Sequence, residues 1–413
     1  MSFYSRRNKN PYAIVIGLDG MNGLQTARIL TSWKIPVIGI AKDPTHWGCR
    51  TKVCEDIFFN DTESDLLIDT LVDLGPKFNQ KPVLFPCKDL NVITISKFRT
   101  KLEQWYHVIL PSHDVIEKLM YKTNFYLYAL KEGFPIPRTH FLHNKEDAEK
   151  ASSELIYPCV LKPTIRSLEW ELHSKFKAYK AFSQKEFLAL YAQYAKWSDM
   201  LIVQEWVEGP DSNLFSCNCY FDANSEPIVT FVARKLRQWP PETGESCLGE
   251  ECQNDTVLEE TIRLFSSVNY RGLGYLEMKQ DERTGKHFII EPNVGRPTGR
   301  SAIAECGGVD LLYTMYCDAI DRSLPPTRTQ KYIGVKWIFL RRDFQSAFYY
   351  WRNGELTIKE WWESLQGKKT YALFSWNDPG PFLSDLWRAI RLLFRRGVSG
   401  GIQVHKQEKK IKA

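Results

Sequence analysis

Short β-branched runs alternate with helical segments through the first part of the chain. Residues 13–18, Ala-Ile-Val-Ile-Gly-Leu, are an apolar run that stops at Asp19-Gly20-Met21-Asn22-Gly23. Residues 24–33 then read as a helix and 37–41 as a second buried strand, which together make a βαβ opening. The alternation continues with a strand at 57–59, a helix from about 63 to 74, a strand at 83–86, a helix from about 90 to 105 and a strand at 108–111. Strands separated by helices predict a parallel sheet covered on both faces, and a first domain that closes near residue 118.

Beyond that point the pattern changes. Tyr121-Lys122-Thr123-Asn124-Phe125 opens a helix that Gly133 ends as a C-cap, and Pro135 and Pro137 force an extended entry into 139–142. Residues 158–163 read as a strand ending in Lys162, and 201–211 as a strand running into a turn. Longer antiparallel strands follow at 213–221 and 227–237, then a helix from about 256 to 269. The last pair, 274–279 and 287–293, reads as a hairpin around Asp281-Glu282-Arg283-Thr284-Gly285. The expected class is therefore α/β, α+β in its second part. The domains are 1–118, 119–325 (subdomains about 119–207 and 208–325) and a C-terminal extension, 326–413. Aromatic residues crowd that extension, among them Trp337, Trp351, Trp361, Trp362 and Trp376. They fill a small core, or else line an acceptor pocket or an interfacial surface.

With 413 residues, 43% apolar and 25% charged, the chain can build several proper cores. It has no apolar run of about 18 residues, and its N-terminal segment lacks the apolar stretch of a secretory signal, so the cytoplasm is the expected compartment. The ten cysteines are scattered and show no CxxC pair, which favours core-filling thiols over metal ligands at Cys217 and Cys219. The net charge is +6, but residues 387–413 hold eight Lys or Arg against Glu408 alone, so the rest of the chain is about neutral. A nucleic-acid-gripping body is thereby disfavoured. Residues 387–396 mix arginines with apolar residues at helical spacing, as in a docked C-terminal helix or in one lying peripherally on the anionic inner face of a membrane.

The chemistry concentrates in the hairpin. Glu291 and Asn293 lie two apart on one strand and so face the same side, where Glu277 on the partner strand can meet them. Two carboxylates and an amide oxygen in an otherwise apolar hairpin are costly unless cations hold them, and hard oxygen donors suit Mg²⁺ carrying phosphates. Lys122 and Lys162 would balance phosphate charge.

In the order Lys122, Leu161-Lys162-Pro163, Gln204-Glu205-Trp206-Val207-x-Gly209-Pro210-Asp211, Glu277 and Glu291-Pro292-Asn293, the chain resembles the ATP-grasp superfamily, in its carboxylate–amine ligase branch that includes D-aspartate ligase. The resemblance covers about residues 1–325. It implies an ATP-grasp fold behind a Rossmann-like first domain, with ATP and two Mg²⁺ ions (Mn²⁺ as an alternative) as cofactors. It places Lys122 and Lys162 on the α and β phosphates, and Gln204 by its side chain with Glu205 and Val207 by backbone on the adenine. Asp211 falls on the ribose, and Glu277, Glu291 and Asn293 on the metals. Lys235 and Arg237 fall near the γ-phosphate, and Arg296 or Arg300 would steady an acyl phosphate. The reaction implied joins a small-molecule carboxylate to an amine, with an oligomer allowed. The segment 164–177, where many relatives carry a glycine-rich lid, has no glycine.

Two other readings compete. One is a non-catalytic nucleotide-binding scaffold recruited by its C-terminal region. The other is an oxidoreductase built on the first βαβ unit, against which the spacing Gly17, Gly20, Gly23 counts because it departs from GxGxxG. His46, Lys88 and Asp89 are candidate contacts for the unidentified acid and amine.

Overall fold

The structure, a computed structural model, describes residues 9–164, 168–174, 176, 178–242, 244–299 and 301–398. Fifteen strands form three sheets among these residues. The first holds β1 (Ala13–Ile16), β2 (Val37–Ala41), β3 (Asp56–Phe59) and β4 (Val83–Pro86), all parallel in the order β3-β2-β1-β4. Every side chain of β1, β2 and β4 is buried, as parallel strands covered on both faces require. The turn after β1 depends on glycine: Gly17 has φ +87°, and a Cβ on Gly23 would lie 2.3 Å from the Gly17 carbonyl oxygen.

The run at 108–111 adds no strand. One parallel bridge, Val83 with His107, is all the pairing there, because Val108, Ile109 and Leu110 plug into the cores on either side of the sheet and Pro111 leads into the helix His113–Met120. The helix expected over 90–105 is divided at Phe98 into Asp89–Lys97 and Arg99–Leu102.

A small antiparallel sheet follows, with β5 (Thr139–Leu142), β6 (Cys159–Pro163), β7 (Tyr179–Ala181) and β8 (Leu201–Glu205) in the order β5-β8-β6-β7. It closes its own core over Trp170, Phe187, Tyr191 and Tyr194. In β6 the alternation is regular: Cys159, Leu161 and Pro163 are buried, while Val160 and Lys162 are not fully covered, so Lys162 is carried on the face away from that core.

The large sheet contains β9 (Leu214–Phe221), β10 (Pro227–Trp239), β11 (Glu245–Glu251), β12 (Gly272–Gln280), β13 (His287–Val294), β14 (Lys336–Ile338) and β15 (Lys369–Tyr371). Their order is β13-β12-β9-β10-β11-β14-β15. The two outermost strands on one side thus come from the C-terminal region. That region also reaches the first sheet: Arg28 pairs with Asp378 at 2.8 Å, and the Thr51 hydroxyl and the Lys52 amide donate to the same carboxylate. One core joins Ile14 and Ile38 to Leu276, Met278 and Ile289. A second joins Val15 and Val37 to Phe231, Met315 and Trp337, so the parallel sheet and the large sheet are packed together through shared apolar layers.

All ten cysteines are free, and Cys217 and Cys219 are fully buried in β9. Burial pushes the Cys217 thiol up to about 12. Among the described residues no helix is long and apolar enough to cross a membrane.

Candidate active site

The hairpin of β12 and β13 sets Glu277 directly opposite Glu291, with Tyr275 opposite Asn293. Like charges facing each other across a ladder destabilise it, so the pair needs a cation. Lys235 supplies one: its ammonium lies 3.1 and 3.2 Å from the two Glu277 oxygens and is nearly excluded from water. The Tyr275 hydroxyl adds a donor to Glu277 at 3.2 Å. Next to this pair the register skips Ile290, a bulge of the kind that re-aims side chains beside active sites. The Ile290 carbonyl accepts from the Tyr126 hydroxyl at 3.4 Å.

Glu291 keeps solvent access although protein crowds its carboxyl. Its carboxyl is held above the usual range, first by desolvation and then by the Glu277 charge; Lys235, Lys122 and Arg296 act in the opposite direction. Residues from four separate segments therefore act on one carboxylate.

Tyr126 ties this hairpin to the small sheet. Its hydroxyl is 3.0 Å from the Lys162 ammonium and 3.4 Å from Gln204 Oε1, and Lys162 donates to that same oxygen at 2.8 Å. Gln204 in turn donates to the Thr139 hydroxyl at 2.8 Å. Lys122 opens the helix Lys122–Lys131, one helical turn from Tyr126 and on the same face. Nothing in the hydrophobic pattern distinguishes Tyr126 or Thr139, but the four-residue spacing from Lys122 was a usable signal for Tyr126.

The other expected residues are placed as follows. Glu205 keeps its carboxylate on the Ile156 amide and near Arg138, and its own amide donates to the Arg138 carbonyl. Val207 is buried. Asp211 accepts from Gln238, by amide nitrogen and side chain, and from the Tyr350 hydroxyl. Lys279, two residues beyond Glu277, is buried over the Trp206 ring; its pKa is lowered by desolvation, against which Asp211 acts to raise it.

Arg296 donates to Asn293 Oδ1 and pairs with Asp89, while Arg300 lies outside the described residues. So does part of the segment 164–177, namely 165–167, 175 and 177. Arg237 is not brought into the cluster. Register shifts on either side of it turn it toward Asp343, with which it makes a two-point buried ion pair at 2.8 and 3.1 Å. Lys88 pairs with Asp19 and Glu63, and His46 accepts from the Gly48 amide.

The donor set fits Mg²⁺. Two carboxylates and an amide oxygen on one sheet face are hard ligands, although among the described residues no group of three or more His, Cys, Asp or Glu could hold a metal ion. Mg²⁺ characteristically takes one or two carboxylates and completes its shell with phosphates and water.

No family model matches the chain. In sequence it is similar to the D-aspartate ligase of Enterococcus faecium (strain Aus0004), 24% identical over 235 residues, which is 54% of this chain and 55% of that protein. It is also similar to the D-alanine–D-alanine ligase of Pseudomonas entomophila (strain L48), 23% identical over 174 residues, 39% of this chain and 50% of the relative. In structure it matches the biotin carboxylase domain of the Hydrogenobacter thermophilus 2-oxoglutarate carboxylase, solved as a dimer with MgADP, ADP and bicarbonate. That match has TM-score 0.59 and 15% identity, over 78% of this chain and 72% of the other. The chain has the ATP-grasp fold. Its sequence relatives are ligases, and it spans about half the length of those it matches. The small sheet with Lys162 and Gln204 is joined to the large sheet through Tyr126, which reaches the Ile290 carbonyl beside Glu291.

Proposed function

We propose that this ATP-grasp protein is an ATP-dependent ligase that activates a small-molecule carboxylate as an acyl phosphate and transfers it to an amine, releasing ADP and phosphate. The observation that carries the reading is the opposed Glu277–Glu291 pair, with buried Lys235 on Glu277, and the link from the neighbouring Ile290 carbonyl through the Tyr126 hydroxyl to Lys162. Bound Mg²⁺, two ions in this reading, would be held by Glu277, Glu291 and Asn293 and would supply positive charge that offsets the repulsion between two anionic reactants. The protein's own groups do the rest. Lys162, oriented by Tyr126 and Gln204, and Lys122 at the helix start neutralise the inner phosphates. Gln204 and the backbone of Glu205 and Val207 meet the adenine, and Asp211 the ribose. Lys235 stands at the γ-phosphate end, and Arg296 beside Asn293 steadies the developing acyl phosphate. The charges around Asp89, Lys88 and Asp19 flank that end and are candidates for orienting the acid and amine.

The test is acid- and amine-dependent release of ADP and phosphate. Glu291→Gln should abolish it, and turnover retained by that variant removes the metal assignment. ATP binding with no turnover over a broad panel of acids and amines would instead favour the scaffold reading.

The last helix, Gly380–Val398, leaves Leu383, Leu386 and Trp387 exposed, with Arg391 over the Trp387 ring. This supports peripheral contact with an anionic membrane surface as the finer reading of that region.

A further inference from the structure

The helix Leu340–Arg352 belongs to the C-terminal region, yet one of its faces is spent on β10 and on Asp211. Asp343, Ser346 and Tyr350 lie at i, i+3 and i+7 and therefore share a face. Asp343 takes Arg237. The Ser346 hydroxyl donates to the Gln238 carbonyl at 2.9 Å, in the core. The Tyr350 hydroxyl donates to Asp211 Oδ2 at 2.7 Å.

Gln238 completes the frame. Its side chain donates to Asp211 Oδ1 at 2.6 Å and its backbone amide to Oδ2 at 3.2 Å. Its Oε1 accepts from Lys235 at 3.4 Å, the lysine that holds Glu277. A hydrogen-bonded path thus runs from Tyr350 through Asp211 and Gln238 to Lys235 and the carboxylate pair. A carboxylate offers about four acceptor sites, and the three donors occupy Oδ2 twice and Oδ1 once. What remains is a lone pair on Oδ1, whose direction is set by the donors on both oxygens.

We propose that Tyr350 is a positioning residue for the nucleotide ribose, aiming Asp211 at a ribose hydroxyl, so that the C-terminal helix is part of the nucleotide site. The inference rests on the ATP reading above. Without the Tyr350 hydroxyl, Asp211 keeps its charge and the 2.6 Å Gln238 side-chain bond on Oδ1, but Oδ2 is left with only the 3.2 Å contact to the Gln238 amide, so the carboxylate is freer to pivot about Oδ1. The loss should then appear in recognition of the ribose and not in the fold.

The experiment is calorimetric binding of MgATP, 2′-deoxyATP and 3′-deoxyATP to the full chain and to Tyr350→Phe, with thermal melting as a parallel measurement. The expected result is about ten-fold weaker ATP binding by the variant, as for one hydrogen bond to a charged group. The preference for ATP over at least one deoxynucleotide should collapse toward unity, with the melting temperature unchanged. Equal ATP affinity and equal preference in both proteins overturns the proposal. So does a fall in melting temperature that weakens all three nucleotides alike, because that is the signature of a purely structural hydroxyl. If the wild-type chain binds none of the three, the ATP reading itself fails, an outcome distinct from either.

Discussion

Lys235 and Arg237 lie two residues apart on one strand, and a plain alternating ladder would give them the same surroundings. The structure separates them: Lys235 is tied to Glu277, and Arg237 to Asp343, 106 residues away in sequence. Asp343→Ala tests that separation. The substitution removes both acceptors of the Arg237 fork, at 2.8 and 3.1 Å, and the acceptor of the Trp361 indole N–H at 3.0 Å. The two side chains are 6% and 1% exposed, so water cannot replace what is lost. Breaking a buried pair from one side leaves an uncompensated charge and costs about 3–5 kcal/mol, and the orphaned indole adds about 1 kcal/mol. Removing both charges, as in Arg237→Met with Asp343→Leu, should restore most of this loss, since apolar replacement of a buried pair is often close to neutral. Urea denaturation followed by tryptophan fluorescence reads both variants. A loss below about 1 kcal/mol for Asp343→Ala, or a double variant as unstable as the single, would refute the reasoning. Arg237→Met, assayed well below its melting point, should keep its nucleotide affinity. A loss of ATP binding in that folded variant would return Arg237 to the phosphate site.

Two further outcomes are expected. Burial pushes the Glu305 carboxyl from 4.5 up to about 8, although it accepts from the Leu312 amide at 3.2 Å. A raised carboxyl favours the protonated form in the folded chain, so its stabilisation is complete below pH 4.5 and is lost as pH rises toward 8. The loss is at most about 5 kcal/mol by linkage, and about 2 kcal/mol once solvent screening of this partly exposed group is allowed for. Glu305→Gln should flatten the decline of melting temperature with pH over that window, and a wild-type profile already as flat as the variant's would count against this assignment. Gly23→Ala would press a Cβ to 2.3 Å from the Gly17 carbonyl oxygen and 2.7 Å from Leu18 Cα, for a loss of about 1–3 kcal/mol. An unchanged thermal midpoint would show that the turn after β1 has room the structure does not give it.

Legibility in the sequence followed the range of the interactions. The βαβ opening could be read from runs such as Ala13–Ile16 and Val37–Ala41, because complete burial on both faces writes an uninterrupted apolar string. The Glu277, Glu291 and Asn293 hairpin could be read because period-two alternation and a short turn are local, and the register did place the two acids face to face. Strand β11 was missed: Glu245, Glu250 and Glu251 break its apolar pattern. They are tolerated there because Arg342, Arg234 and Lys336, and the backbone amides of Tyr332 and Val335, receive them, partners that only folding brings near. The strands β14 and β15 are three residues each, too short to carry a period.

The sequence by itself determined the fold class, the ordered lysines and acids, and the side of the hairpin on which the acids stand, since these depend on neighbours a few residues apart. The tertiary structure alone decided which cation serves which acid. The bulge beside Glu291, the register shifts around Arg237 and the reach of Tyr350 to Asp211, 139 residues away, arise from pairing between distant strands and helices. A shift of one residue in such pairing changes which surface a side chain meets, and no local pattern records it.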